Sequence, residues 1–208
     1  MDTERHEHYK NKWGVLITIL LLTFMTALDG SIVNVALPTM SKALSVNTQS
    51  ISWVFSAYLI GICTLILAFG KLGDLKGKMK IFKIGVVLFT LGSLMCGLSI
   101  TLPILIIARI VQSVGAAAAM ATSQGIITEA FPKNERGKAF GLFGTFVALG
   151  TMIGAPLGGF IISIFDWNYI FLINKCGYRV SELLVSPSNF TIYLKVSIDW
   201  HFLIYLLL

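Results

Sequence analysis

The chain has 208 residues, of which 56% are hydrophobic and only 12% charged, with a mean hydropathy of +0.82, whereas soluble domains carry about 25% charged residues. That composition excludes a soluble globular protein, and it is the reverse of the low hydrophobicity and high net charge that disorder requires. A polytopic membrane protein remains, and its formal charge of +6 serves helix orientation rather than nucleic-acid binding, because the basic residues sit in short gaps between apolar runs.

A spanning helix needs about 20 apolar residues to cross roughly 30 Å of hydrocarbon. Five segments reach that length: Trp13 to Leu37, Ile51 to Phe69, Ile81 to Thr101, Pro103 to Ile127 and Ala139 to Phe165. A sixth opens at Trp167 and loses its apolar character after Asn174. Barrel strands alternate apolar and polar residues, and these runs are continuous, so helices are expected. The first run follows Arg5, Lys10 and Lys12 like a secretory signal. It is longer than the about 7–15 residues of such a signal, so we read it as retained. Eleven lysines and arginines fall in the N-terminal flank and in the second and fourth gaps, against Lys42 alone in the first gap. This asymmetry predicts a cytoplasmic N-terminus.

Two ionisable residues lie well inside the spans, Asp29 in the first and Arg109 in the fourth. Either costs several kcal/mol if it faces lipid. Counted from Pro38 and Pro103, Asp29 lies about 12 Å and Arg109 roughly 9 Å below the outer helix ends, so the two share one layer. They form either a static ion pair or part of a cavity that handles substrate or protons. The second gap, Gly70 to Lys80, reads as a tight basic turn. It is either a plain positive-inside loop or a latch, in which Asp74 accepts hydrogen bonds from a neighbouring helix N-terminus. The fourth gap, Pro132 to Gly137, has a similar turn-forming, basic character and no assigned chemistry. In the fifth span Gly150, Gly154 and Gly158 recur at four-residue intervals, with Gly159 beside the last and Pro156 between. Such a seam lets a neighbouring backbone approach, as static packing or as a surface on which helices rock, and Pro156 can bend the helix.

Other chemistry finds little support. Cys63, Cys96 and Cys176 have no paired spacing and read as small apolar residues. His6 and His8 flank Glu7 on the polar N-terminal arm without the three or four ligands of a metal site. No phosphate-binding glycine loop precedes a Lys-Ser or Lys-Thr, so no nucleotide is implied. Asn189 to Thr191 match a glycosylation triplet, which carries no meaning in a cytoplasmic or bacterial setting. An enzyme is thus the weakest reading, and no cofactor or metal is expected.

Four motifs in order give a resemblance. "LDGSIVNVALP" at Leu28 to Pro38, the Gly70 to Lys80 segment, "RIVQSVGAA" at Arg109 to Ala117 and "GTMIGAPLGG" at Gly150 to Gly159 resemble the N-terminal part of a major facilitator superfamily transporter of the fourteen-helix drug:proton antiporter family. The resemblance implies an all-α membrane fold comprising helices 1 to 5 and the start of helix 6 of that bundle. By it, Asp29, Asn34, Arg109 and Gln112 belong to the substrate or proton pathway, with Arg109 in proton coupling. Gly70, Gly73, Asp74, Gly77 and Lys78 belong to a conformational loop that stabilises the outward-facing state. Gly150, Gly154, Pro156, Gly158 and Gly159 belong to the antiporter bend. Leu75, Met79 and Ser113 depart from the motifs, the first two at basic positions and the third at a glycine.

The implied partners are the lipid bilayer, protons and a small amphiphilic or cationic substrate expelled in exchange for protons, in a bacterial cytoplasmic membrane. Asp29 would bind a proton from outside when buried and release it when hydrated inside. The resemblance covers about residues 13 to 174, whereas rocking-bundle transport uses a second bundle. A truncated transporter is therefore expected, and the alternatives are a non-transporting membrane fragment or one part of a split transporter completed by another chain. We divide the chain into a flank at 1–12, a partial bundle at 13–174 and an anomalous tail at 175–208. Codons after Asn174 read one base later are compatible with the family's Ile-Gly pattern, so a frameshift is expected there.

Overall fold

In a bilayer an uninterrupted apolar run satisfies its backbone polar groups within itself, which leaves the helix as the economical solution. A computed structural model of the chain describes residues 12–172. There five helices follow one another: α1 (Lys12–Ala43), α2 (Thr48–Lys76), α3 (Lys78–Gly97), α4 (Leu102–Ala130) and α5 (Arg136–Ile164). Residues 169–172 begin a further helical turn. All five are long and apolar enough to cross a membrane. The anomalous tail and most of the N-terminal flank lie outside the described residues.

The helix ends depart from the expected spans for local reasons. α1 continues through Pro38 to Ala43, where fully buried Met40 anchors the extension in the core. A positive φ at Ser45 then turns the chain, and Asn47 caps α2 by accepting a hydrogen bond from the Ser50 N–H at 2.6 Å. α3 stops at Gly97 rather than Thr101, because the Ser99 hydroxyl donates to the Cys96 carbonyl at 2.6 Å and closes the last turn.

The second gap corrects the expectation of a loop. α2 runs to Lys76 and α3 begins at Lys78, so Gly70 to Lys80 is almost entirely helical. Gly77 alone makes the reversal, with φ +96° and ψ 120°, a region open essentially to glycine.

α4 is the central element, packed along α3 on one side and α2 on the other, while α1 pairs with α5. Two apolar cores result. One gathers Leu16, Ile19, Phe82, Phe89, Ile126 and Phe131 toward the basic end. The other gathers Ile32, Met40, Ile51, Leu105, Ile161 and Phe171 toward the opposite end. On α1 the first core stops at Met25 and the second begins at Leu28. On α4 the second core ends at Ala108 and the first resumes at Ala116. The interval between the cores is polar.

Candidate functional site

Around that interval stand Arg109 and Gln112 on α4 and, one residue past Leu28 on α1, Asp29, all with no exposed surface. The Arg109 guanidinium donates from Nη1 to Asp29 Oδ2 at 2.7 Å and to Gln112 Oε1 at 2.7 Å. Gln112 Nε2 donates to Asp29 Oδ1 at 3.3 Å, closing a triangle. Arg109 and Gln112 are three residues apart on α4 and so share a face. Asp29 reaches them from α1. The Cys96 thiol of α3 approaches Gln112 Oε1 at 3.6 Å.

Arg109 is also held between two rings. Its Cζ lies 5.0 Å from the centroid of Tyr58 on α2 and 4.9 Å from that of Phe171. Among the described residues Nε and Nη2 find no hydrogen-bond acceptor, and the ring faces meet the charge instead. A carboxylate and a guanidinium removed from water are tolerated only when paired, and loss of either leaves the other uncompensated.

At the basic end Lys78 forms a second cluster. Its ammonium reaches Asp74 Oδ1 and Glu129 Oε1, each at 2.7 Å, clasping the α2–α3 corner to the end of α4. A Cβ at Gly125 would fall 2.5 Å from Lys78 Cε, so this glycine makes the slot through which the lysine stem passes. Asp74 is thus paired with a lysine side chain, not with the helix N-terminus expected for a latch. Lys12 pairs with Glu135 at 2.6 Å and lies over the Phe131 ring, tying the start of α1 to the α4–α5 turn.

The glycine seam of α5 meets α1. Cβ atoms on Gly150, Gly154 and Gly158 would fall 2.6 Å from the Phe24 carbonyl oxygen, 2.6 Å from Ser31 Cβ and 3.2 Å from Ile32 Cα. Ser31 donates to the Thr151 carbonyl at 2.8 Å across the same contact. Gly159 has open space around it, and Pro156 is exposed within a helix that continues past it.

The model of the Major Facilitator Superfamily matches residues 19–176. The chain belongs to the Major Facilitator Superfamily. It is 46% identical over 165 residues to the riboflavin transporter RibZ of Clostridioides difficile (strain 630), covering 79% of this chain and 36% of that protein. It is 39% identical over 160 residues to the multidrug resistance protein Stp of Mycobacterium tuberculosis (strain ATCC 25618 / H37Rv), covering 76% of this chain and 30% of that protein. The chain therefore spans about a third of the length of these curated relatives. The fold is like that of the inward-open xylose transporter XylE from E. coli, with a TM-score of 0.74 at 17% identity, over 84% of this chain and 47% of that one.

As a superfamily member the chain is an integral membrane protein of a transporter family, not an enzyme. Its described helices are the first five of the superfamily bundle and the opening of the sixth. Of the residues expected in a pathway, the fold brings Asp29, Arg109 and Gln112 together and leaves Asn34 exposed on another face of α1. Of the expected loop, Gly73, Asp74 and Lys78 gather near α4, Gly77 makes the turn, and a Cβ on Gly70 would meet open space. Tyr58, Phe171 and Glu129 escaped the sequence reading, and Cys96, read there as a small apolar residue, turns its thiol to Gln112. Glu129, an acid near the end of an apolar run, carried a readable signal. The other three look like any core residue until their neighbours are known.

Proposed function

We propose that this chain supplies the first helices of a proton-coupled exporter of small amphiphilic or cationic molecules, oriented with its N-terminus in the cytoplasm. The observation that carries the reading is a carboxylate with no exposed surface, ion-paired to Arg109 in the polar interval between two apolar cores. Asp29 stands on α1, which pairs with α5, and Arg109 on α4, which is flanked by α2 and α3. The pair joins these two helix groups. A proton on Asp29 removes its charge, keeps a hydrogen bond and cancels the attraction to Arg109, which frees the two groups to shift relative to each other. Loss of the proton to the other side restores the bond.

The multidrug resistance protein among the relatives supports the substrate class, and the riboflavin transporter widens it to flat aromatic molecules. Gly73, Asp74, Gly77 and Lys78 act in this reading as the hinge and clasp of the basic end. Gly150, Gly154 and Gly158 act as the seam that holds α5 to α1 within one group, and Pro156 and Gly159 as part of the bend of α5. Because two bundles rock against one another around a midplane site, transport also draws on helices beyond the five described. A second reading, a split arrangement in which a separate chain supplies them, is separated from the first by co-expression.

The test is dye efflux driven by a proton gradient, in cells expressing the chain alone and beside a chain carrying the remaining helices of a relative. The reading predicts efflux that stops when the gradient is collapsed and is lost in Asp29→Asn. Gradient-driven efflux that survives Asp29→Asn contradicts it. Efflux confined to the co-expressed pair supports the split arrangement.

A further inference from the structure

The two neighbours of α4 reach it at adjacent residues, each on a glycine. A Cβ on Gly61 of α2 would overlap Ser113 Oγ and lie 2.7 Å from Ser113 Cβ, with nothing else that close. A Cβ on Gly92 of α3 would lie 2.6 Å from both the backbone N and the Cα of Gln112. Each glycine sits one turn from a side chain of the polar interval, since Gly61 follows Tyr58 by three residues and Gly92 precedes Cys96 by four. Residues at those spacings share a helix face. Ser113 Oγ is already committed to the Ile110 carbonyl at 2.7 Å, so it lies against α2 in a fixed pose.

We infer that Gly61 and Gly92 are positioning residues for the buried polar interval: they clamp α4 at residues 112–113 from both sides, so that Tyr58 meets Arg109 and Cys96 meets Gln112. The functional consequence rests on the reading of Asp29 as a proton site, while the geometry does not. Arg109 and Gln112 face Asp29 from α4, with Tyr58 of α2 and Cys96 of α3 beside them. The buried residues of α5 are Ala139, Gly150, Gly154, Gly158 and Ile161, none of which titrates.

The two contacts differ in kind. At Gly61 the obstacle to a methyl group is one side chain, and at Gly92 it is backbone. A methyl at 61 can therefore be relieved by trimming residue 113, and a methyl at 92 cannot be relieved by trimming any side chain.

Infrared spectroscopy of the full chain in lipid nanodiscs tests this, with Cys63 and Cys176 replaced by serine so that Cys96 is the remaining thiol. The S–H band reports the thiol contact with Gln112, and the carboxyl band lost in Asp29→Asn reports proton uptake. Gly92→Ala is expected to move the S–H band to its unbonded position and to shift the frequency of the Asp29 carboxyl band. Gly61→Ala should shift the same carboxyl band and lower the unfolding temperature, and adding Ser113→Gly should restore both. Gly144→Ala, placed in open space, should change nothing. An unmoved S–H band in Gly92→Ala, or a Gly61→Ala defect that persists with Ser113→Gly, overturns the inference. If Gly61→Ala does not fold, a folded double variant supports the inference and an unfolded one overturns it. If Asp29 does not titrate in the parent chain, the proton reading falls, and the S–H band and unfolding temperatures still decide the clamp.

Discussion

A guanidinium and a carboxylate buried together are held less by their attraction than by the cost of separating them in a medium that hydrates neither. Replacing Arg109 with Met removes the ion-pair partner of buried Asp29 and should destabilise the chain by on the order of 3–5 kcal/mol. Replacing both, as Asp29→Asn with Arg109→Gln, should recover most of that loss, as measured by denaturant unfolding in detergent. The clasp at Lys78 is a contrasting case. Its partners Asp74 and Glu129 are 63% and 45% exposed at the side chain, so solvent screens the pair. Glu129→Gln should cost no more than about 1 kcal/mol, and less in high salt. Depth along the helices, counted from Pro38 and Pro103, is enough to place Asp29 and Arg109 in one layer from the sequence alone. Tyr58 and Cys96 were illegible because the interior of a membrane protein is no more apolar than its lipid-facing surface, which removes the contrast by which a buried face is usually recognised.

At the scale of elements, the five spans were legible from length and hydropathy, because no other regular structure closes its own hydrogen bonds within a single segment. Their ends were not, since they depend on particular caps: Met40 in the core beyond Pro38, Ser99 closing α3, and one glycine between α2 and α3. That glycine carries the whole reversal, so Gly77→Ala should cost about 1–3 kcal/mol of backbone strain, read as a lower unfolding temperature. The four-residue glycine repeat of α5 was legible as a seam, but its partner was not, because spacing gives a face and not what lies opposite. With α1 now known to be that partner, Gly154→Val should disrupt packing against Ser31 and Leu28. Gly159→Val should be tolerated because nothing lies within 4 Å of its Cβ position. Thermal melts of the two variants check the contrast.

The described helices form two cores separated by a polar interval, with most of their lysines and arginines gathered at one end. The charge asymmetry predicts that end to be cytoplasmic. In a background with Cys63, Cys96 and Cys176 replaced by serine, a membrane-impermeant thiol reagent added to intact cells should label Ser45→Cys in the α1–α2 turn and spare Asn134→Cys in the α4–α5 turn. The arrangement of the helices around α4 could not be read from the sequence, because every helix is apolar all round and only close contacts such as Gly92 on Gln112 distinguish neighbours.

The central claim is that a proton on Asp29 unfastens the helix group containing α1 from the group containing α4. Spin labels at exposed Ile17 of α1 and Met120 of α4 report the separation of those groups in lipid nanodiscs. The account predicts a distance distribution that changes on acidification in the parent chain and an Asp29→Asn variant that shows the acid distribution at every pH. A distribution that is independent of pH and identical in the two proteins would contradict it.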